Sequence, residues 1–276
     1  MRSRFAPTPS GYLHLGNILS FSLTAARAAE EGATIFLRID DMDSARVRPA
    51  YLDDIFDVLK WLDLHWQDGP RNVADFTHHF AQENRLPLYE AALGRLRERH
   101  WLFACNCSRK TFSTCNCSEK NLGFEAQGVQ WRIRTPPQWE DRSLLNFVVR
   151  KKDRRPAYQL TSVVDDLHFG IDLVVRGQDL ESSTRAQFFL AEALGEARFS
   201  KLRVYHHGLL LEADGSKMSK SAGAHSVRWM REAGHHPSEV FALIGRLAQL
   251  PVAVNNWQGL AAAYFAVHPL RVFQAL

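Results

Sequence analysis

Cysteine is scarce in this chain of 276 residues: there are four, all between Cys105 and Cys117. A secreted fold stapled by disulfides spreads its cysteines along the sequence, so a reducing cytoplasmic compartment is expected here. Charge of one sign is also lacking. Thirty-four Lys and Arg against thirty Asp and Glu leave a formal +4, which excludes a wholly acidic or basic disordered chain. Long apolar runs are missing too: Leu247 to Leu270 is the longest charge-free stretch, and Pro251, Asn255, Asn256, Gln258, Gly259 and Pro269 interrupt it. That stretch is no membrane span. Met1 to Gly11 offers Arg2 and Arg4 and then two prolines where a secretory signal needs an apolar core. No internal repeat or low-complexity tract occurs. What is present, 46% hydrophobic and 23% charged residues, is the make-up of an ordinary globular protein. At about 150 residues per domain the length fits one large domain or two modest ones.

The first 75 residues alternate strand and helix. Arg4 to Ala6 reads as a short strand, Ile18 to Glu30 as a helix closed by Gly32, and Thr34 to Ile39 as an apolar strand. Tyr51 to Leu64 carries Leu52, Ile55, Phe56, Leu59 and Leu62 at helical spacing. That order, with a helix long enough to cross over, predicts an α/β fold on a parallel sheet. The pattern resumes with a strand at Leu173 to Arg176, a helix at Arg185 to Leu194 ended by Gly195, and a strand at Leu202 to Tyr205. Between the halves lie a helix near Leu86 to His100, the cysteine segment, and β-like pieces at Trp131 to Arg134 and Asn146 to Arg150. From Ser226 the sequence reads as helical to its end. The expected division is 1–84 and 158–225 as two halves of one sheet domain, 85–157 as an insertion, and 226–276 as a short helical region.

Charge is shared unevenly among these parts. Residues 85–157 hold fifteen Lys or Arg against seven Asp or Glu, a local +8 that leaves −4 for everything else. A basic insertion on a slightly acidic body points to a polyanion, because each neutralised phosphate releases counterions. Arg150, Lys151, Lys152, Arg154 and Arg155 are the densest cluster. A charge run of this kind also occurs as a plain solvated face.

Two segments carry chemistry. Phe5-Ala-Pro-Thr-Pro-Ser-Gly-Tyr-Leu-His14-Leu-Gly16-Asn17 puts a proline-stiffened turn between a strand and a helix, where free N–H groups favour a phosphate. Gly11 and Gly16 allow close approach of a ligand, and His14 can donate to a phosphate. Some 200 residues later, Gly215-Ser-Lys217-Met218-Ser219-Lys220-Ser221 sets two lysines among serines. They suit a triphosphate whose transition state gathers negative charge. Either segment alone is weak evidence; an HLGN-type turn followed by a KMSKS loop is a strong joint signal.

With these motifs the chain resembles a class I aminoacyl-tRNA synthetase. Arg4-Phe-Ala-Pro-Thr-Pro-Ser-Gly, Arg38-Ile-Asp-Asp-Met-Asp43 and Val163-Val-Asp-Asp166 resemble the glutamyl/glutaminyl branch, and the likeness runs to about Ser221. It implies a Rossmann-type parallel sheet split by an inserted domain, and ATP-dependent activation of an amino acid to its adenylate. ATP, with Mg²⁺, would be bound by His14, Gly16, Asn17, Met218, Ser219 and Lys220, with His14, Lys217 and Lys220 serving catalysis. The resemblance places Arg4, Phe5, Ala6, Pro7, Thr8, Asp40, Tyr158 and Arg176 around the amino acid. Arg176 is the informative one, since a guanidinium pairs with a carboxylate and the glutaminyl enzymes lack an arginine there. Asp40 departs from the glutamate usual in the glutamyl family; its implied task is to hold the substrate ammonium, about 1.5 Å further from the backbone than it reaches. From the residues alone, Tyr158 could equally be a core aromatic and Arg176 a salt-bridged strand end.

Cys105-Asn-Cys107 and Cys115-Asn-Cys117 put four thiols within thirteen residues. That suits one tetrahedral structural zinc, with reduced thiols or a redox pair as the alternatives. Short glutamyl-type relatives carry zinc here with C-x-C, a tyrosine and a further cysteine, a pattern this chain replaces with a second C-x-C.

Only 55 residues follow Ser221, too few for a large helical anticodon-binding region. The plan resembles the short paralogues of this branch that activate L-glutamate without tRNA and attach it to the queuosine base in the anticodon loop of tRNA(Asp). A monomer using the basic insertion to receive that anticodon stem-loop is expected. The alternatives are a minimal synthetase charging a tRNA 3′ end, and a non-catalytic tRNA-binding paralogue.

Overall fold

The structure is a computed structural model and describes residues 1–108, 115–139, 141–210 and 226–273. Strand β1 (Arg2–Phe5) leads through a turn into α1 (Leu15–Glu30) and back to β2 (Thr34–Leu37). β1 and β2 pair in parallel, from Arg2 opposite Thr34 to Phe5 opposite Leu37. Helix α1 starts where His14 is extended and its amide donates to the Asn17 side chain at 3.1 Å, satisfying an end that has no partners of its own. It stops at Gly32, whose φ of +60° is the left-handed conformation that glycine adopts freely. Helix α2 (Pro49–Trp61) opens on a proline, which needs no N–H at that position. A short α3 (Val73–Asp75) runs into a π-helical turn at Phe76–Phe80.

Helix α4 (Leu86–Glu98) then leads into a separate three-stranded antiparallel sheet of β3 (Leu102–Cys105), β4 (Gln130–Ile133) and β5 (Val148–Arg150), with β4 in the middle. Helix α5 (Tyr158–His168) returns the chain to β6 (Leu173–Gly177). From there α6 (Glu181–Leu194), ended by left-handed Gly195, leads to β7 (Arg203–His207). β6 and β7 are parallel. The start of β6 is tied to β1, since the Asp172 amide donates to the Arg2 carbonyl at 2.8 Å. Helices α7 (Val227–Glu232), α8 (Pro237–Leu247) and α9 (Trp257–Val267) follow, and β8 (Arg271–Phe273) adds antiparallel to β7.

Strand residues alternate between two apolar clusters. Leu173 and Val175 pack with Phe5, Leu15, Ile18 and Leu37, whereas Val174 and Phe36 pack with Leu160, Leu190 and Val204. Strands buried on both faces read as continuous apolar runs because helices cover each side. Among the described residues, no helix is long and apolar enough to cross a membrane.

The structure differs from the sequence reading at three elements. The tail is not helical to its end: β8 is a strand, because three residues with Val272 exposed show no period of their own and are fixed by the free edge of β7. Helix α5 has no clean apolar period in the sequence, since Asp165 and Asp166 stand on its buried side. β3 was hidden in the cysteine segment.

Candidate active site

The turn after β1 is pinned to the end of β2. The Arg38 amide donates to the Phe5 carbonyl at 2.9 Å and the Asp40 amide to the Pro7 carbonyl at 3.0 Å. Phe5 itself is fully buried with its ring 4.9 Å from that of Phe21, so Phe5 and Pro7 reach this region through their backbones. Ala6 is half-buried and Thr8 exposed at the surface of the turn.

Behind the turn lies a buried network of charge. Arg4 Nε donates to Asp166 Oδ1 at 2.9 Å, and Arg38 Nη1 donates to the same oxygen at 2.6 Å. Arg38 also grips both oxygens of Asp40, at 2.8 and 2.9 Å. Burial pushes the Asp40 carboxyl above its usual range, and Arg38 opposes that shift. Asp165, next along α5, accepts from Arg85 Nε at 2.8 Å, Tyr89 at 2.7 Å and Gln82 at 2.9 Å. These contacts tie Tyr89 of α4 and the turn before it to α5 and leave Asp165 compensated within its own group. Hydrogen bonds and charge from Arg85 and the charge of Arg38 hold its carboxyl below the usual range despite burial.

Arg176, near the end of β6, is only 5% exposed. Its Nη1 donates to Gln187 at 2.9 Å and its Nη2 to the Thr184 hydroxyl, while its buried Nε has no partner. Among the described residues no carboxylate lies within ion-pair distance of it. Burial draws this guanidinium down to about 10; the ionisable Tyr158 hydroxyl and Asp166 raise it, and Arg4 and Arg38 lower it. Among the described residues, three arginines (Arg4, Arg38, Arg176) thus face two aspartates (Asp40, Asp166), leaving one positive charge without an acidic partner in a dry setting. Tyr158 opens α5 and is 42% exposed, so it is not a core aromatic. Its neighbour Gln159 accepts from Gln187, linking α5 to the support of Arg176.

At the N-terminus of α1, His14 lies against Gly16: a Cβ on Gly16 would stand 3.1 Å from the imidazole. Asn17 faces back onto the His14 amide. The four positions singled out in the second motif, Lys217, Met218, Ser219 and Lys220, lie outside the described residues. Their near neighbour Ser226 forms an antiparallel bridge with His14, and Val227 donates to the Leu13 carbonyl at 3.0 Å. The chain therefore re-emerges from that segment beside the HLGN turn.

The four cysteines come together. Their Sγ atoms all lie within 4.8 Å of one another, with Cys105 3.7 Å from Cys115 and Cys107 3.6 Å from Cys117. No disulfide joins them. A tetrahedron of thiolates at a Zn–S distance of about 2.3 Å has edges of roughly 3.8 Å, so the donor set and its spacing fit a metal ion. Cys105 ends β3 opposite Gln130 of β4, and the Gln130 side chain donates to the Cys107 carbonyl at 3.2 Å.

Arg38, Asp165, Asp166, Thr184, Gln187 and His206 were not singled out as site residues. The signal was there for the first three, which stand as charges inside otherwise apolar segments. Thr184 and Gln187 accept from Arg176 directly and His206 holds Thr184, contacts that only the packing of α6 and β7 against β6 brings about.

The fold is that of a class I synthetase catalytic domain. The solved structure of glutamate-tRNA synthetase from Elizabethkingia anophelis superposes with a TM-score of 0.72 at 20% identity, covering 95% of this chain and 65% of that one. The chain belongs to the family of class I tRNA synthetases (E and Q), catalytic domain, which matches residues 1–128 and 119–258. Among relatives, the glutamyl-Q tRNA(Asp) synthetase of Synechococcus sp. (strain CC9605) is 38% identical over 90% of this chain and 82% of its own length. That of Symbiobacterium thermophilum is 34% identical over 92% of this chain and 87% of its own. Glutamate–tRNA ligase 2 of Syntrophus aciditrophicus is 32% identical, but this chain spans just 58% of its length.

Proposed function

We propose that this chain activates glutamate with ATP in the absence of tRNA and passes the glutamyl group to the queuosine base in the anticodon loop of tRNA(Asp). The observation that carries this reading is Arg176, a buried guanidinium with an unpaired Nε and no carboxylate partner among the described residues. A substrate γ-carboxylate supplies the missing anion, and glutamate as a whole brings the single negative charge that the Arg4, Arg38, Arg176, Asp40 and Asp166 group lacks. Glutamine would leave Arg176 uncompensated.

Tyr158, Ala6 and Thr8 line the rest of the amino-acid pocket. Asp40 orients the ammonium, which leaves the α-carboxylate toward the α1 N-terminus. There an oxygen of that carboxylate attacks the α-phosphorus of ATP, the bond to pyrophosphate breaks, and glutamyl-adenylate forms. No protein nucleophile is needed; the effect is positioning and charge stabilisation. His14, held by Gly16 and Asn17, donates to the phosphates, and Lys217 and Lys220 balance charge on the leaving pyrophosphate. Mg²⁺ arriving with ATP neutralises phosphate oxygens. In the second step the acceptor on the base attacks the acyl carbon and AMP leaves.

In this reading 1–84 and 158–225 form one Rossmann-type sheet, and 85–157 is the insertion that meets the RNA. Cys105, Cys107, Cys115 and Cys117 hold one structural zinc that fixes the insertion's loop. The four thiols fit a reducing cytoplasm.

The test is the fate of labelled glutamate on tRNA(Asp). Attachment to queuosine persists on tRNA(Asp) whose 3′-terminal CCA has been removed and disappears with tRNA lacking queuosine. Labelling that needs an intact terminal diol would instead identify a minimal synthetase charging the 3′ end.

A further inference from the structure

Most cations of the basic segment 85–157 already have acidic or carbonyl partners. Arg85 is bound to Asp165, Arg95 to Glu196, Arg155 to Glu83 and Lys151 to Asp153. Two arginines share one aromatic platform. Among the described residues, neither Arg97 of α4 nor Arg150 of β5 has a carboxylate within ion-pair distance, and both are stacked on aromatic rings; Arg150 Nε donates to the Arg154 carbonyl at 3.3 Å. The Arg150 guanidinium lies 4.2 Å from the Trp131 ring; that of Arg97 lies 4.8 Å from Phe124 and 5.9 Å from Trp131.

The platform beneath them is rigid. Phe124 and Trp131 meet edge to face at 5.0 Å, and the Trp131 indole donates to the Phe124 carbonyl at 2.9 Å. A guanidinium stacked in this way uses its faces on the ring and keeps its N–H edges for a planar anion. Around these edges the surface is hollowed twice. One cavity of ≈ 280 Å³ is lined by Arg150, Arg154 and Lys152, and a second of ≈ 220 Å³ by Arg97, Arg150 and Arg154. Arg150 and Arg154 form the ridge between the two. Acids line the hollows as well: Glu125, 3.9 Å from Arg154, and Asp153 the first, and Glu90 the second.

We infer that this ridge is the place where the insertion grips the phosphodiester backbone of its RNA, with Arg97 and Arg150 each taking a phosphate in adjoining hollows. The inference rests on the RNA acceptor of the function proposed above and gives that acceptor a docking position. Two open cavities that share a cationic ridge suit a ligand with repeated anions, where a single nucleotide would need one enclosed site. Trp131 is 7% exposed, so no base stacks on it. The contact therefore positions the RNA by charge and shape and leaves sequence to be read elsewhere.

The experiment is fluorescence anisotropy of a fluorescein-labelled RNA hairpin with the tRNA(Asp) anticodon stem-loop sequence, titrated across a range of KCl. Wild type is compared with Arg97→Gln, Arg150→Gln and, as a distant exposed arginine, Arg246→Gln. Loss of one charge-assisted phosphate contact weakens binding about tenfold. It also flattens the slope of log K against log salt by about 0.7 to 0.9 per contact. Arg97 is exposed on α4, so its variant keeps the test valid if Arg150→Gln disturbs the packing of Trp131. Unchanged affinity and slope in Arg97→Gln and Arg150→Gln would overturn the inference, and so would an equal loss in Arg246→Gln. Pyrophosphate exchange without RNA is measured on the wild type alongside. Its absence would count against the proposed activation chemistry while the RNA readout still decides the ridge.

Discussion

Arg38 donates to both oxygens of Asp40, through Nε at 2.8 Å and Nη2 at 2.9 Å, and its third nitrogen reaches Asp166 at 2.6 Å. A carboxylate has about four lone-pair sites, so Asp40 can face a substrate ammonium while Arg38 holds it. The shorter side chain is thereby anchored to the strand that carries it, and Arg38 becomes the residue that sets where Asp40 points.

Asp40→Asn removes one of two anions from a buried guanidinium and replaces a charge-assisted pair by a neutral one. Breaking such a pair typically costs about 3 kcal/mol, and here Asp166 remains to hold Arg38. Urea denaturation is expected to show a loss of about 2 to 3 kcal/mol, together with a raised KM for glutamate in pyrophosphate exchange.

Gly16→Ala separates activity from stability. The added Cβ meets the His14 ring at 3.1 Å, so the imidazole must shift. Alanine is the better helix former by up to about 1 kcal/mol. Thermal melting should therefore show unchanged or slightly raised stability, while the exchange rate falls about tenfold or more because His14 is displaced from the phosphates.

His206 should give the fold a pH dependence. The Thr184 hydroxyl donates to the Leu180 carbonyl, so the 2.7 Å contact has His206 Nε2–H donating to Thr184. Burial, reinforced by the nearby charge of Arg176, lowers its pKa from 6.5 to about 4. Between those values the unfolded chain binds a proton that the folded one excludes. Stability is therefore complete above pH 6.5 and declines as pH falls toward 4, by at most about 3 kcal/mol. Urea titrations at stepped pH should show this decline in the wild type and a flatter profile over that window in His206→Gln.

The cysteine cluster predicts about one zinc per chain by elemental analysis. Cys115→Ser and Cys117→Ser should each lower that content, and a strong chelator should lower the melting temperature of the wild type. Full metal content in both variants would restrict the ligand set to Cys105 and Cys107.

Legibility in the sequence followed the range of the interactions concerned. α1 and α6 were readable because local periodicity and the closing glycines Gly32 and Gly195 act within a few residues. Arg4, His14, Asp40, Tyr158 and Arg176 were picked out by motif resemblance, and the structure places Arg4, Asp40, Tyr158 and Arg176 around one charged centre. β8 was illegible because its partner, β7, lies more than sixty residues earlier. The charge balance of the pocket was illegible for the same reason: Asp166 and Arg4 stand 162 positions apart. Only folding reveals that Arg176, unlike Arg4 and Arg38, is left without an acid among the described residues.

Pyrophosphate exchange with purified wild-type protein and no tRNA, run with glutamate and with glutamine, tests the central claim most directly. ATP-dependent exchange with glutamate, absent with glutamine and reduced about a hundredfold or more in Arg176→Gln, is the predicted result. No exchange with glutamate from folded, metal-loaded protein, or equal exchange with both amino acids, would contradict it.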